Sequence, residues 1–185
     1  MPGRQYSQDY LTAYGLVLGK ERGVLDDPDD RDGPGPTVDG VTQRTYDDYR
    51  TRHHLTTRST LQMTPDERCE LYYEGYWIPM GGDAVHGGLA LFAFDSAVHC
   101  GVTRTPRWLQ NAIGAFADGL LGPQTMRLIR FCDRPATLKS MVGQRLQHYQ
   151  EIVRKDATQK KWINGWINRL NLMRMLSEEH EAKGT

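Results

Sequence analysis

Three polar residues near the N-terminus have the types and the spacing that hydrolysis of a glycosidic bond requires: Glu21, Asp30 and Thr37. Glu21 follows Val17 by four residues and Tyr10 by eleven, so on a helix it continues an apolar face. A carboxyl group among apolar and aromatic side chains resists ionisation. Glu21 is therefore a candidate general acid, although the spacing alone also fits an ordinary glutamate whose head group reaches water.

Asp30 and Thr37 would supply the rest of such a reaction. Asp30 lies in a polar, turn-rich stretch, where its carboxylate would be ionised and could activate water or stabilise an oxocarbenium-like transition state. The hydroxyl group of Thr37, seven residues further on, could hold the attacking water. One protonated and one ionised carboxyl group form the pair that glycosidases use, so the hypothesis assigns these roles to Glu21 and Asp30.

The stretch around Asp30 also allows a calcium-binding hypothesis to be tested. Residues 26–40 contain six Asp, three Pro and three Gly, which predicts a loop or a small hairpin rather than a helix. If Gly33 were the glycine of an EF-hand loop, Pro28 would occupy the first ligand position and Asp39 the last, where a bidentate Glu is needed. These mismatches argue against calcium. We expect turn-forming aspartates here, and neither a metal nor a cofactor.

The elements that would position these residues are mainly helical. Apolar residues recur at helical spacing along most of the chain, and Thr64-Pro65-Asp66-Glu67 has the form of a helix N-terminus. The predicted class is mainly α, with a small loop or hairpin insertion after the first helix. Predicted helices cover Asp9 to about Lys20, segments beginning near Thr42 and at Thr64, the buried segment Leu89–Val98, segments opening at Thr105 and Gly122, Pro135 to about Lys155, and a last helix with an apolar stripe of Trp162, Trp166, Leu170 and Met173.

Composition argues against several classes of protein. The 23 basic and 23 acidic residues leave a net charge of zero, without the basic excess of a nucleic-acid-binding protein. The longest apolar run, Leu89–Phe94, is far shorter than the roughly 20 residues of a membrane span. Cys69, Cys100 and Cys132 form no CxxC pair, so we expect reduced thiols rather than disulfides or a zinc site.

Six short motifs, in order along the chain, resemble those of glycoside hydrolase family 108. The family closes its first helix with Glu-Gly-Gly and continues into an Asp- and Pro-rich loop, as the run from Glu21 to Asp30 does here. Its other motifs are similar to the segment Gly40–Tyr46, to Tyr76-Trp77, to the segment Phe94–Gly101, to the segment Asp118–Thr125 of a peptidoglycan-binding half, and to Gly165-Trp166-Ile167-Asn168-Arg169. No single motif is specific, but the six together span about Tyr10 to Leu170 and are specific in combination.

The resemblance implies an all-α, lysozyme-like fold and cleavage of peptidoglycan between N-acetylmuramic acid and N-acetylglucosamine. The essential glutamate of the family corresponds to Glu21, and the order Glu, Asp, Thr is similar to that of phage-type lysozymes, which supports Asp30 and Thr37. We therefore expect a single muramidase domain over residues 1–185. Its catalytic half would cover about 8–95, and a helical, peptidoglycan-binding-like half would cover about 95–175.

Substrate contacts are expected at five residues that lie within these motifs: Tyr46, Tyr76, Trp77, Asp95 and His99. Tyr76 and Trp77 could stack on sugar rings, but they could equally be core aromatics. Asp95 stands among apolar neighbours, so it could shape the cleft or be a buried, hydrogen-bonded structural residue.

The chain departs from the family pattern at three places. Arg22 replaces the first glycine of Glu-Gly-Gly, the loop between Asp30 and Thr37 is two residues longer, and His99 replaces a common Asn. None of these changes removes the acid, so we expect an active enzyme.

Three other functions stay open: a non-catalytic peptidoglycan-binding protein, a lytic transglycosylase and a secreted antibacterial effector. We expect peptidoglycan glycan strands as the partner, no nucleic acid, no membrane insertion, and a monomer, because a cleft that cleaves a polymer must stay open. The N-terminal residues lack the apolar stretch of a secretory signal. The expected setting is a phage endolysin that is made in the host cytoplasm and reaches cell-wall peptidoglycan after holin-type release.

Overall fold

The secondary structure is mainly α-helical, as the sequence predicts. The computed structural model describes residues 4–21, 23–25 and 35–183. Among these residues, helices alternate with short 3₁₀ and π-helical turns, and strand is confined to two residues in each of two segments. The α-helices are Gln8–Glu21 (α1), Gln43–Arg52 (α2), Pro65–Tyr72 (α3), Gly87–Cys100 (α4), Thr105–Ala112 (α5), Pro123–Phe131 (α6), Arg134–Lys155 (α7) and Ile163–Lys183 (α8).

A short antiparallel hairpin follows α1, which confirms the predicted insertion. Its strands are Val24–Leu25 (β1) and Thr37–Val38 (β2), and Val24 pairs with Val38 while Leu25 pairs with Thr37. A further bridge joins Val38 to Val41, so the chain turns back tightly before α2 begins. The hairpin is therefore attached directly to the end of α1, where Glu21 lies.

The chain divides into two compact units. The larger unit comprises Met1–Ala13 and Tyr76–Thr185, and the smaller unit comprises Tyr14–Gly75. No helix in the described part of the chain is long and apolar enough to cross a lipid bilayer.

Helix α4 forms the centre of the larger unit. Its residues Gly88–Ala97 are all buried, as expected for a helix that is apolar on nearly every side. It packs against α7 and α8. At its N-terminal end a Cβ atom on Gly88 would lie only 1.8 Å from the carbonyl oxygen of Ser177 in α8, so glycine is required for the two helices to approach this closely. The predicted central buried helix is thus confirmed.

The smaller unit is organised around the carboxylate of Glu67 in α3. Thr64 caps α3 through the predicted capping box, in which the Glu67 amide donates to the Thr64 hydroxyl and the Glu67 carboxylate accepts from the Thr64 amide. The same carboxylate pairs with the guanidinium groups of Arg50 and Arg58. Burial would raise the pKa of Glu67, but the hydrogen bonds from Thr64 and Arg58 lower it, so this carboxylate is ionised and links α2 to α3.

One predicted helical stripe is partly wrong. Trp162 lies at the end of a 3₁₀ turn, Ala157–Trp162, before α8 begins, and its side chain is 55% exposed. Trp166 is half-buried, while Leu170 and Met173 are in the core as predicted. The reason is local: Asp156 accepts a hydrogen bond from the amide of Thr158, which starts a separate turn and rotates Trp162 off the apolar face.

Candidate active site

Glu21 is the last residue of α1, at the point where the buried face of that helix opens. Tyr10, Ala13 and Val17 are fully buried along this face, whereas Tyr14 and Glu21 are half-buried. Gly23 then adopts a φ of +137°, which only glycine tolerates easily, and the chain leaves the helix there. The carboxyl group of Glu21 is therefore carried at a helix end with part of its surface accessible.

The turn that follows β2 packs directly against the stem of Glu21. A Cβ atom built on Gly40 would lie 3.2 Å from Cβ of Glu21 and 2.9 Å from the hydroxyl oxygen of Tyr72. Gly40 also has a φ of +78°, so both conformation and space require glycine at this position. This close approach brings Glu21 to the hairpin whose second strand carries Thr37, and the Thr37 side chain is half-buried.

Asp39 fastens the segment after Glu21 to the hairpin turn. The amide of Gly23 donates to Oδ1 of Asp39 at 3.0 Å, and the amide of Asp39 donates to the carbonyl of Gly23 at 2.8 Å. Oδ2 of Asp39 forms an ion pair with Arg68 of α3, and the Tyr72 hydroxyl donates to the carbonyl of Asp39 at 2.8 Å. Asp39 has a φ of 49°, a left-handed conformation that aspartate tolerates better than most residues. We call Gly23, Asp39, Arg68 and Tyr72 the Asp39 clamp.

Arg68 extends the clamp to α1. Its Nε donates to the hydroxyl of Tyr14 at 3.0 Å, and the rings of Tyr14 and Tyr72 meet edge to face with centroids 5.6 Å apart. Burial raises the pKa of Tyr14, so its phenol is neutral and accepts this hydrogen bond. The last two turns of α1 are thereby held by α3 as well as by the hairpin.

The clamp residues were not among the sequence candidates. Asp39-Gly40 is a dipeptide typical of turns with positive φ, which was a usable signal for the turn itself. Nothing in the spacing of Arg68 and Tyr14, 54 residues apart, indicates that their side chains meet.

Part of the predicted site lies outside the described residues. This applies to Asp30, to Arg22, to the longer loop before Thr37, and to Pro28 and Gly33 of the rejected calcium loop. Within the described ranges, no group of three His, Cys, Asp or Glu side chains is placed to hold a metal ion. The roles of Asp30 and Thr37 stay predictions.

The side chain of Tyr46 has no exposed surface in this structure, and its predicted contact with substrate stays a prediction. Its hydroxyl donates to Oε2 of Glu67 at 2.9 Å and accepts from Nε of Arg58 at 2.9 Å. Tyr46 thus completes the hydrogen bonding of the Glu67 carboxylate. A buried tyrosine hydroxyl needs such partners, and here they are all protein groups.

Trp77 is also fully buried. Its indole N–H donates to Oδ1 of Asp83 at 3.0 Å, and its ring packs edge to face against Tyr10 and Phe94. In this structure Trp77 is a core aromatic residue, and its stacking on a sugar ring stays a prediction. Tyr76 lies in the same π-helical turn, Tyr73–Trp77, and is half-buried, so its contact with substrate stays a prediction.

Asp95 has no exposed surface either, and its assignment as a substrate contact stays a prediction. Its carboxylate lies between two arginines, 2.6 Å from Nη1 of Arg145 and 2.8 Å from Nη2 of Arg169. Burial by itself would raise the pKa of Asp95, but the positive charges of both arginines hold it below its usual range. Asp95 is therefore an ionised structural residue that joins α4, α7 and α8.

His99 lies one turn after Asp95 on α4 and is half-buried. Its ring packs edge to face on that of Tyr149, with centroids 5.8 Å apart. Burial, together with the positive charges of Arg169 and Arg145, lowers the pKa of His99 to about 4, so the imidazole is neutral at physiological pH. Its proposed contact with substrate stays a prediction.

A helical fold of this kind, with a glutamate at the end of the first helix and a small hairpin beside it, is of the lysozyme-like class. Residues 14–101 match the profile of Glycosyl hydrolase 108, and residues 104–171 match that of Predicted Peptidoglycan domain. The match over residues 14–101 confirms the resemblance of the sequence motifs to glycosyl hydrolase family 108. The protein is a glycosidase that degrades peptidoglycan. The match of its C-terminal part to a peptidoglycan domain identifies peptidoglycan as its partner.

A solved structure supports the fold independently. The structure of Brucella abortus SagA is similar to this chain with a TM-score of 0.76 and 23% sequence identity, over 93% of this chain and 95% of that chain. At this identity the likeness shows the fold alone. No curated protein matches this chain.

Proposed function

We propose that the protein is an N-acetylmuramidase, which hydrolyses the β-1,4 bond between N-acetylmuramic acid and N-acetylglucosamine with Glu21 as the general acid. The observation that carries this assignment is the packing of Glu21 at the end of α1 against Gly40, beside the hairpin that bears Thr37. The family match supports the class of reaction, and the partial burial of Glu21 supports its role.

In the proposed reaction Glu21 donates its proton to the glycosidic oxygen as the bond from that oxygen to C1 breaks. Asp30 acts as the base that activates water, or as the carboxylate that stabilises the oxocarbenium-like transition state. Thr37 holds the water, whose oxygen adds to C1. The Asp39 clamp serves this chemistry indirectly, because it fixes the backbone at Gly23, two residues after Glu21.

The test is a digest of purified sacculi by the wild-type protein and by Glu21→Gln. The amide is close in shape to the acid but has no proton to give, so we expect the rate to fall by about 10²–10⁴-fold with little change in the thermal unfolding temperature. Mass spectrometry of the released muropeptides should show reducing ends on muramic acid. Near wild-type lysis by Glu21→Gln would exclude Glu21 as the acid.

The same digest separates the alternatives. Anhydro-muramic ends would identify a lytic transglycosylase, in which the 6-hydroxyl of the sugar replaces water. Sedimentation of the wild-type protein with sacculi, without any release of reducing sugar, would identify a non-catalytic binding protein. Either result would contradict the hydrolytic proposal.

The biological setting that we propose is host lysis by a phage endolysin, acting as a monomer. The protein would be made in the cytoplasm and would reach the cell wall after holin-type release. Expression in bacteria should then lyse cells only when a holin is co-expressed. Lysis without a holin, or killing of neighbouring cells by a secreted form, would favour the antibacterial effector instead.

A further inference from the structure

A groove of about 950 Å³ lies along α6 in the larger unit. Its buried lining is apolar and includes Leu89 of α4 and Ile129 of α6. Its exposed lining is positively charged and aromatic, and includes Arg127, Arg130 and Phe131 of α6. We call this feature, lined by these five residues together with Arg134, the α6 groove.

Two of the arginines in the α6 groove form no ion pair within the part of the chain that the structure describes. Among the described residues, no acidic side chain forms an ion pair with Arg127 or Arg130. Arg134 differs, since it pairs with Glu181 of α8, and that carboxylate also accepts the amide of Gly88 at 2.8 Å.

The carboxylates of the groove are already engaged. Besides Glu181, Asp133 caps α7 by accepting the amide of Ala136 at 3.0 Å. The positive charges of Arg127 and Arg130 therefore have no carboxylate partner among the described residues, whereas the carboxylates of Asp133 and Glu181 already accept hydrogen bonds. An anionic ligand fits such a groove best.

An apolar contact surface lies beside these charges. The side chain of Phe131 is 76% exposed, and the guanidinium carbon of Arg130 lies 5.8 Å from the centroid of its ring. A large aromatic side chain at the surface is ordinary in isolation, but here it adjoins a groove with apolar lining and two arginines that have no carboxylate partner among the described residues. The combination suits a ligand in which carboxylates alternate with small apolar groups.

We propose that the α6 groove binds the stem peptide of peptidoglycan. This inference rests on the proposed function, in that peptidoglycan is the substrate. The stem peptide is short and acidic, with free carboxylates separated by alanine methyl groups. Arg127 and Arg130 would bind the carboxylates, since guanidinium groups recognise them in a two-pronged geometry, and Phe131 would contact the methyl groups.

The charge of the groove favours the peptide over the glycan as its occupant. The sugars of a glycan strand with attached stem peptides are neutral and N-acetylated, because the lactyl carboxyl group is consumed in the amide bond to the peptide. Two unpaired arginines would gain nothing from such sugars. A groove for the peptide would also let the same molecule hold the wall polymer at a point other than the bond it cleaves.

Titration of the full-length Glu21→Gln protein tests this assignment without turnover of the ligand. The probe is a synthetic stem tetrapeptide with free carboxylates, compared with the same peptide amidated at its carboxylates and with a tetramer of N-acetylglucosamine. We expect binding of the free peptide, at least roughly 10-fold weaker binding of the amidated one, and weakening as salt rises.

Variants of the groove make the test specific. Arg127→Gln with Arg130→Gln should weaken binding of the free peptide about 10-fold or more, and Phe131→Ala should weaken it without changing the salt dependence. The matched control is Arg154→Gln with Lys155→Gln, which removes two exposed charges from the last turn of α7, outside the groove. It should bind the free peptide as tightly as the Glu21→Gln protein without groove substitutions. Melting temperatures check that each variant is folded.

Failure of this inference is distinguishable from failure of the proposed function. The groove assignment is overturned if the wild-type protein hydrolyses sacculi but the Glu21→Gln protein does not bind the peptide. It is also overturned if the double arginine variant binds the peptide equally well. Preferential binding of the sugar tetramer would overturn it in favour of a glycan site. If the peptide binds as expected but wild-type protein releases no sugar, the groove assignment holds and the proposed reaction fails.

Discussion

Glu21 depends on its neighbours for any catalytic role, because a glutamate at the last residue of a helix would otherwise turn freely to water. Gly40 meets its stem, and Asp39 binds the backbone at Gly23, two residues beyond it. The stem of Glu21 and the backbone after it thus contact residues that come later in the chain and do not themselves carry the proton. Among these neighbours, the Asp39 clamp is the part of the site that a single substitution can test.

Asp39→Asn should lower the rate of wall hydrolysis about 10-fold while leaving the protein folded. Asparagine tolerates the left-handed conformation and can still accept the Gly23 amide, but it loses the charge that pairs with Arg68. The pair is only partly exposed, so we expect a cost of about 1–2 kcal/mol in the free energy of unfolding. Initial rates and urea unfolding curves measure the two effects.

The control for this substitution is Asp48→Asn, on the exposed face of α2, which should change neither quantity. If Asp39 acts by positioning Glu21, the loss should fall on kcat rather than KM and should persist at temperatures where both proteins are fully folded. An Asp39→Asn protein with a wild-type kcat would show that the clamp matters for folding alone.

The helices were the most predictable elements, because each has local signals in its own residues. The capping box Thr64–Glu67 started α3 as predicted, and the apolar segment of α4 is buried as predicted. The prediction for Trp162 was wrong because hydrogen bonds from Thr158 and Gln159 to the carboxylate of Asp156 start a separate turn. The partners of Asp95, 50 and 74 residues away at Arg145 and Arg169, could not be predicted, since no periodicity links residues that far apart.

For the same physical reason, the sequence alone could not decide between a substrate contact and a core position for the aromatic candidates. Tyr46 and Trp77 are polar aromatics whose types fit a sugar site or a core equally well, and burial decides between the two. Their partners, Glu67 and Asp83, lie on other elements and are brought near by tertiary packing. Glu21 could be proposed because its own helix carries the signal.

Gly88→Ala should separate α4 from α8 and destabilise the protein by about 3 kcal/mol or more. The new Cβ would lie 1.8 Å from the carbonyl oxygen of Ser177 and 2.7 Å from its carbonyl carbon, and backbone cannot rotate away as a side chain can. The same shift would disturb the bond from the Gly88 amide to Glu181. Thermal and urea unfolding measure the loss.

Gly143→Ala in α7 is the matched control, because a Cβ there meets nothing within 4 Å. An exposed helical glycine loses entropy on folding, so this variant should be neutral or more stable by about 0.5–1 kcal/mol. Equal stability of the Gly88→Ala and wild-type proteins would mean that the α4–α8 crossing is wider than described.

For the whole molecule, the buried charges of the larger unit couple folding to pH. Asp95 is ionised between Arg145 and Arg169, and His99 must stay neutral beside the same two arginines. The pH dependence of stability separates the contribution of His99 from that of Asp95, because the ordinary pKa of histidine, near 6.5, lies far from that of a carboxylate. His148 is a second histidine of this kind. Its pKa is lowered mainly by burial and then by the positive charge of Arg104.

Wild-type stability should therefore fall as pH drops from about 6.5 to about 4. Over this range the unfolded chain takes up a proton on His99, whereas the folded protein, in which the pKa of His99 is about 4, does not, so protonation favours unfolding. The full effect of His99 is at most about 3 kcal/mol. His99→Gln cannot take up the proton and should show a correspondingly shallower fall. Urea unfolding at intervals between pH 4 and pH 8 measures both proteins, and parallel curves for His99→Gln and wild type would mean that water reaches this ring and the arginines do not hold it neutral.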